Sequence, residues 1–224
     1  MQFVTTEEAA RRLGVSTRRV VDMLTSRQLA GQKVHRSWLV SEAAVSERER
    51  LQYGDGRPLK AATARAVVGA LSAGTALPAR QRAIVQHRGV EQLTAVLARS
   101  TRVERFATRN PELAAEHLHF TGANALERIV THANDALVGP ARQLHGYPKG
   151  LPYEELIDHA MLVRDDENAR VVLYRFEDDI FPWDTTPTAL VAVDAARSDI
   201  SRVHAVGLEA LERMRNQWLA THTP

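Results

Sequence analysis

The sequence predicts a mainly α fold with a smaller α+β part, divided into an N-terminal unit over residues 1–53 and a C-terminal helical/α+β domain over 57–224. Three observations predict it. Apolar residues keep helical spacing through residues 58–132, and stretches read as extended lie before and after. The segment "QYGDGRPL" puts two glycines and a proline between two apolar patterns and marks the boundary. The composition, 44% hydrophobic and 25% charged, is that of a chain with a real core.

Composition also excludes classes. There is no cysteine, hence no disulfide or thiolate chemistry. No run of about eighteen apolar residues occurs, so no membrane helix is expected. The opening "MQFVTTEEAARR" lacks an apolar stretch of signal-peptide length, so a soluble, cytoplasmic protein is expected. A net charge of +2 is too weak to imply nucleic acid by itself. Its distribution says more: from Arg11 to Arg36 seven basic residues stand against one acid, Asp22, whereas acids outnumber bases from Asn134 onward. A basic segment on a more acidic body suggests a local anion site.

The elements follow in order. Thr5 or Thr6, followed by Glu7 and Glu8, reads as a helix cap with acids in the first turn, and Gly14 stops that helix near Leu13. Ser16 caps a second helix running to about Ser26. Ala9, Ala10, Leu13, Val15, Val20 and Leu24 form the shared seam. "LAGQKVHRSWLV" reads as a hairpin with a basic tip, and Ser41 caps a third helix.

A helix, a Gly-containing turn and a Ser-capped helix with basic residues at its start make helix-turn-helix chemistry. With Val20 and Leu24 in the seam, Ser16, Thr17, Arg18, Arg19, Val21 and Asp22 are left to the outer face. Arginine there can pair bidentately with guanine or grip a phosphate, and backbone N–H groups at the helix start can hold another. The hairpin tip, with Lys33, His35 and Arg36, fits a wing touching the flanking backbone or minor groove, and Trp38 is placed to pack that wing on the helices. The stretch "TTEEAARRLGVSTRRVVDMLTSRQLAGQKVHRSWLVS" resembles the excisionase/MerR-like winged helix-turn-helix family. One departure stands out: His35 sits just before the wing arginine, where that family usually has a small residue, often glycine.

In the larger domain, helices are expected after Pro58, after Pro78, over 90–97, 103–107, 111–118 (capped by Asn110) and 123–133. "ALVGPARQLHGY" reads as extended, with Pro140 arguing for an edge or a bend. "PYEELIDHAML" reads as a short helix, "AMLVRDDENARVVLYRF" as a hairpin, and "TALVAVDAA" as a buried strand ending at Asp194. "SDISRVHAVGLEALERMRNQWLA" is an amphipathic final helix capped by Ser198 or Asp199, with Val203, Val206, Leu208, Leu211, Met214 and Trp218 in the core.

The stretches "RPLKAATARAVVGALSAG", "RVERFATRNPELAAEHLHFTGANAL", "HGYPKG" and "PTALVAVDAARSDISRVHAVGLEALERM" loosely resemble actinobacterial antitoxins of the abortive-infection (AbiE-type) class. That resemblance implies a DNA-binding repressor of its own operon that neutralises a nucleotidyltransferase-type toxin, encoded next to it, by direct binding. The implied partners are double-stranded operator DNA and that toxin. The outer face of the last helix is open to a partner or to a homodimer contact, and no membrane partner is expected. The alternatives are a ligand-sensing transcriptional regulator unconnected with a toxin, and a nuclease tethered to DNA.

The enzymatic signs are weak. Glu177, Asp178, Asp179 and Asp184 could hold a metal but read as a solvated loop, and only Lys33, Lys60 and Lys149 are available as a nuclease lysine. His117 and His119, two apart, would point to different sides of a helix. No nucleophile elbow or glycine-rich phosphate loop occurs. No catalytic residue, metal site or cofactor is expected.

Overall fold

The computed structural model describes residues 3–26, 28–51, 59–131 and 142–222. The chain is mainly α with a smaller sheet part. No helix among these residues is long and apolar enough to cross a membrane.

The N-terminal unit runs β1 (Phe3–Thr5), α1 (Thr6–Leu13), α2 (Thr17–Thr25), β2 (Gly31–Val34), β3 (Ser37–Ser41) and α3 (Glu42–Arg50). Its helix starts follow from local chemistry. The Thr5 hydroxyl accepts the Glu8 N–H at 3.2 Å, Ser16 accepts that of Arg19 at 3.2 Å, and Ser41 accepts that of Ala44 at 3.4 Å. Gly14 takes φ 63° and ends α1. The three strands form an antiparallel sheet in the order β1-β3-β2. Gly31 is required where β2 crosses α2, because a Cβ there would stand 2.5 Å from the Leu39 carbonyl oxygen and 2.7 Å from Leu24 Cδ2. Ala9, Leu13, Val20, Met23, Leu24, Leu29, Val40 and Val45 are the core, with Val15 and Trp38 packed at its margin.

The body begins with α4 (Ala61–Ala73), α5 (Ala79–Gln86) and α6 (Val90–Ala98). Then come β4 (Thr101–Ala107), α7 (Pro111–Glu116), β5 (Leu118–Phe120) and a 3-10 turn over Gly122–Arg128. It closes with β6 (Leu144–Pro148), α8 (Tyr153–His159), β7 (Val163–Arg164), β8 (Val171–Phe176), α9 (Thr188–Ala195) and α10 (Ser201–His222). The sheet order is β5-β6-β8-β4-β7, antiparallel except for β6 against β8. One side carries the larger core, with Val67, Leu71, Leu93, Leu97, Leu190, Leu211 and Trp218. Phe106, Leu118, Leu156, Val171 and Leu173 fill the other.

Several expectations are corrected. Residues 103–107 belong to a strand, not a helix: Val103 and Arg105 face one side, Glu104 and Phe106 the other, and Thr101 to Phe106 pair with β8. The helix expected over 123–133 is a 3-10 turn ending at Arg128, and 132–133 lie outside the described residues. "TALVAVDAA" forms α9, buried from Ala189 to Ala195; a segment covered on all sides shows no amphipathic period, so it reads equally as strand or helix. Asp194 is therefore inside a helix rather than at a strand end. The expected hairpin over 160–176 does not close on itself, because β7 and β8 lie on opposite sides of β4. The last helix starts at Ser201, beyond Ser198 and Asp199. β1 and β5 are additions that the sequence reading does not contain. The proposed boundary at 54–57 and the first part of the extended stretch, before Arg142 and with Pro140, lie outside the described residues.

Candidate nucleic-acid interface

The outer face of α2 is built by its seam. Val20, Met23 and Leu24 are buried, so Ser16, Thr17, Arg18, Arg19 and Asp22 are exposed and Val21 is half-buried. Arg18 and Asp22, four apart, share one edge of the helix. Arg19 is turned toward α3 and lines a groove that Arg18 does not reach.

The wing closes through a two-residue turn, His35-Arg36, between Val34 and Ser37, which pair across it. His35 takes φ 55°, the left-handed conformation that favours glycine. Its departure from the small residue usual there is thus a side chain carried in a glycine-like backbone. Lys33 and Trp38 are directly opposite on β2 and β3, and Lys33, His35 and Arg36 are all exposed.

Not every N-terminal cation is available. Arg11 pairs with Glu8. Arg12 is held in a fork: its guanidinium donates to Glu49 at 3.0 and 2.6 Å, to Glu42 at 2.5 Å and to Ser46 at 3.0 Å. The hydrogen bonds to Glu49 and Glu42 raise its pKa further, so Arg12 is a permanent clamp between α1 and α3. Among the described residues, Arg18, Arg19, Lys33 and Arg36 form no ion pair.

The groove beside Arg19 was not legible in the sequence. It has a volume of about 1020 Å³ and lies between the N-terminal unit and the body. Arg48 of α3, Arg99 at the end of α6 and Arg102 of β4 line it with Arg19. Arg48 has its pKa lowered by burial and by the charges of Arg19 and Arg99. The two parts of the chain are joined in the wall of this groove by Glu47, which accepts from Arg105 at 2.9 Å and from Arg197 at 2.9 Å. Burial pushes the Glu47 carboxyl up, but the two arginines outweigh it and hold it at about 2.

Several of the other candidate groups are paired. Asp178 receives Arg65 at 2.6 and 2.7 Å, and Asp179 pairs with Arg175 at 3.1 Å. No group of three or more metal-ligating side chains stands together among the described residues. His117 meets His159 edge-on at 5.0 Å, whereas His119 stacks on Phe181 at 4.7 Å. Asp194 accepts from Thr121 at 2.8 Å and Tyr147 at 3.0 Å through Oδ2, and its Oδ1 makes no hydrogen bond. Burial pushes its pKa up to about 6, against the opposing pull of Arg197.

No curated protein and no solved structure matches the chain. Residues 3–48, the unit that carries α2 and the wing, match the helix-turn-helix domain family.

Proposed function

We propose that this chain is a non-enzymatic DNA-binding antitoxin. It binds double-stranded operator DNA, represses its own operon and neutralises a nucleotidyltransferase-type toxin by direct binding. The observation that carries the DNA-binding part is the capped start of α2, which presents Thr17, Arg18 and Arg19 on the same unit as a cationic wing tip. Arginine at a helix start in the major groove reads guanine or grips phosphate, and wing cations add backbone contacts. The toxin-binding part rests on the resemblance of the body to AbiE-type antitoxins and is assigned to residues after 57. Co-expression of the full chain with the product of the adjacent gene tests it. Co-purification with rescue of growth is expected; failure of both removes the antitoxin reading.

A second reading, a ligand-sensing transcriptional regulator unconnected with a toxin, is favoured by one observation. The groove beside α2 is lined by both parts of the chain, so an occupant would touch the DNA-binding unit directly.

A further inference from the structure

Four arginines, Arg19, Arg48, Arg99 and Arg102, line the groove and form no ion pair among the described residues, and Arg48 feels the charges of Arg19 and Arg99. The Arg48 guanidinium makes one long contact, 3.4 Å to the Gln28 carbonyl. Arg99 has Nε and Nη2 buried with no hydrogen-bond partner. The acids in the same groove are engaged elsewhere or unpaired. Glu47 is taken by Arg105 and Arg197, and Glu104 by Arg164 and Arg175. Asp165 accepts the Glu167 and Asn168 N–H groups of its own loop. Asp166, Glu167 and Glu177 form no ion pair with the four arginines. Buried guanidinium nitrogens without acceptors, beside further cations, are costly unless an anion completes them.

We propose that this groove is an effector site for a small phosphorylated ligand of nucleotide size, its phosphate held by Arg19, Arg48, Arg99 and Arg102. Three features select this class. Several unpaired guanidinium groups lining one groove suit a multiply charged anion, and their planar forks match phosphate oxygens. The volume, about 1020 Å³, accommodates more than a bare ion. The half-buried Trp38 also lines the groove, offering a surface for a planar, less polar part of the ligand. The regulatory consequence rests on the DNA-binding reading. Arg19 belongs both to the outer face of α2 and to the groove, so a phosphate held there withdraws it from DNA. Ligand and duplex then compete.

Calorimetric titration of the full chain with AMP and with inorganic pyrophosphate, and with adenosine as control, tests the site in the absence of DNA. AMP and pyrophosphate should bind and adenosine should not. R48Q and R102Q should each weaken AMP binding about tenfold or more, while R36Q, on the wing tip outside the groove, should not change it. R99Q should act like R48Q if its circular dichroism spectrum is unaltered; R102Q, at an exposed position, carries the test if it is not. AMP should also lower the affinity of the wild-type chain for duplex DNA. Absence of binding of both probes at millimolar concentration overturns the proposal, as does binding that R48Q and R102Q leave unchanged. If AMP does not bind but R48Q and R102Q weaken duplex binding and flatten its salt dependence, the arginines grip DNA phosphate and the effector site is refuted. If AMP binds as expected but no duplex is bound, the ligand site stands and the DNA-binding reading falls.

Discussion

Glu47 of α3 and Arg197, two residues beyond α9, form an ion pair at 2.9 Å that ties the N-terminal unit to the body. Arg197 also donates to the Ala98 carbonyl at 3.1 Å and to Thr101 at 2.8 Å, and its own carbonyl accepts from Arg50 at 3.1 Å. Leu51, at the end of α3, packs in the core of the body. Placement of the recognition helix is therefore fixed from behind by a charged, largely buried joint.

Removing one partner from such a joint leaves charge without compensation. Glu47→Gln strips the carboxylate from both Arg105 and Arg197 and should cost roughly 3–5 kcal/mol. Urea unfolding of the wild type and the variant checks this. The same pair sets an acid limit. The Glu47 pKa is depressed to about 2, so its stabilisation is present above the ordinary carboxylate range and is lost as pH falls from about 4.5 toward about 2. The variant should lack that component of acid sensitivity. A loss below about 1 kcal/mol would show that the joint contributes little.

Asp194 acts with the opposite sign. Its folded-state pKa, about 6, lies above the ordinary value of 3.8. The folded chain thus holds the proton more tightly, and this group's contribution to stability declines as pH rises from about 4 to about 6, then levels off. Asp194→Asn keeps an oxygen for the Thr121 and Tyr147 hydroxyls and removes the titration. Relative to wild type, it should gain stability across that interval, on the order of 1–3 kcal/mol. Melting temperatures measured from pH 4 to pH 7 would show it; a constant difference would mean that Asp194 does not titrate there.

The wing turn is held by a side chain in a backbone suited to glycine. His35→Gly should be neutral or stabilising by up to about 1 kcal/mol, since it relieves the left-handed conformation. His35→Val should destabilise by about 1 kcal/mol or more, because a β-branched residue tolerates φ 55° worst. Thermal unfolding of the two variants decides. Equal effects would indicate that the turn has relaxed to another conformation.

The wing cations should act on DNA without regard to sequence. Lys33→Ala with Arg36→Ala should weaken binding to specific and random duplexes alike. The salt slope should fall by about two, one for each phosphate that the variant no longer neutralises. Fluorescence anisotropy at several salt concentrations measures both quantities. A changed sequence preference at constant overall affinity would instead make the wing a base reader.

The readable part of this fold is its local chemistry. Thr5, Gly14, Ser16 and Ser41 set the ends of α1, α2 and α3 through contacts within four residues, and these are visible in the sequence. α9 is not, because Ala189–Ala195 is buried all round and leaves no polar face to reveal its period. β7 and β8 are read as partners of each other because their true pairing runs through β4, some sixty residues earlier in the chain. The exposed positions of Arg18, Lys33 and Arg36 follow from the seam of apolar residues. The groove does not, since Arg48, Arg99 and Arg102 meet Arg19 only through tertiary packing. Arg12, counted among the basic residues of the segment, belongs instead to a clamp whose acids lie 30 and 37 residues away.

The central claim is that the outer face of α2 reads DNA. The most direct measurement is the affinity of the full chain for a duplex spanning the region upstream of its own gene, compared with Arg18→Ala and Arg19→Ala. Each substitution should weaken binding. Loss of a bidentate base contact should cost about 1–3 kcal/mol and relax the preference at one position; loss of a phosphate grip should weaken all duplexes alike and lower the salt slope by about one. Wild-type affinity and unchanged salt dependence in both variants, with the fold intact by circular dichroism, would contradict the claim and remove residues 16–22 from the interface.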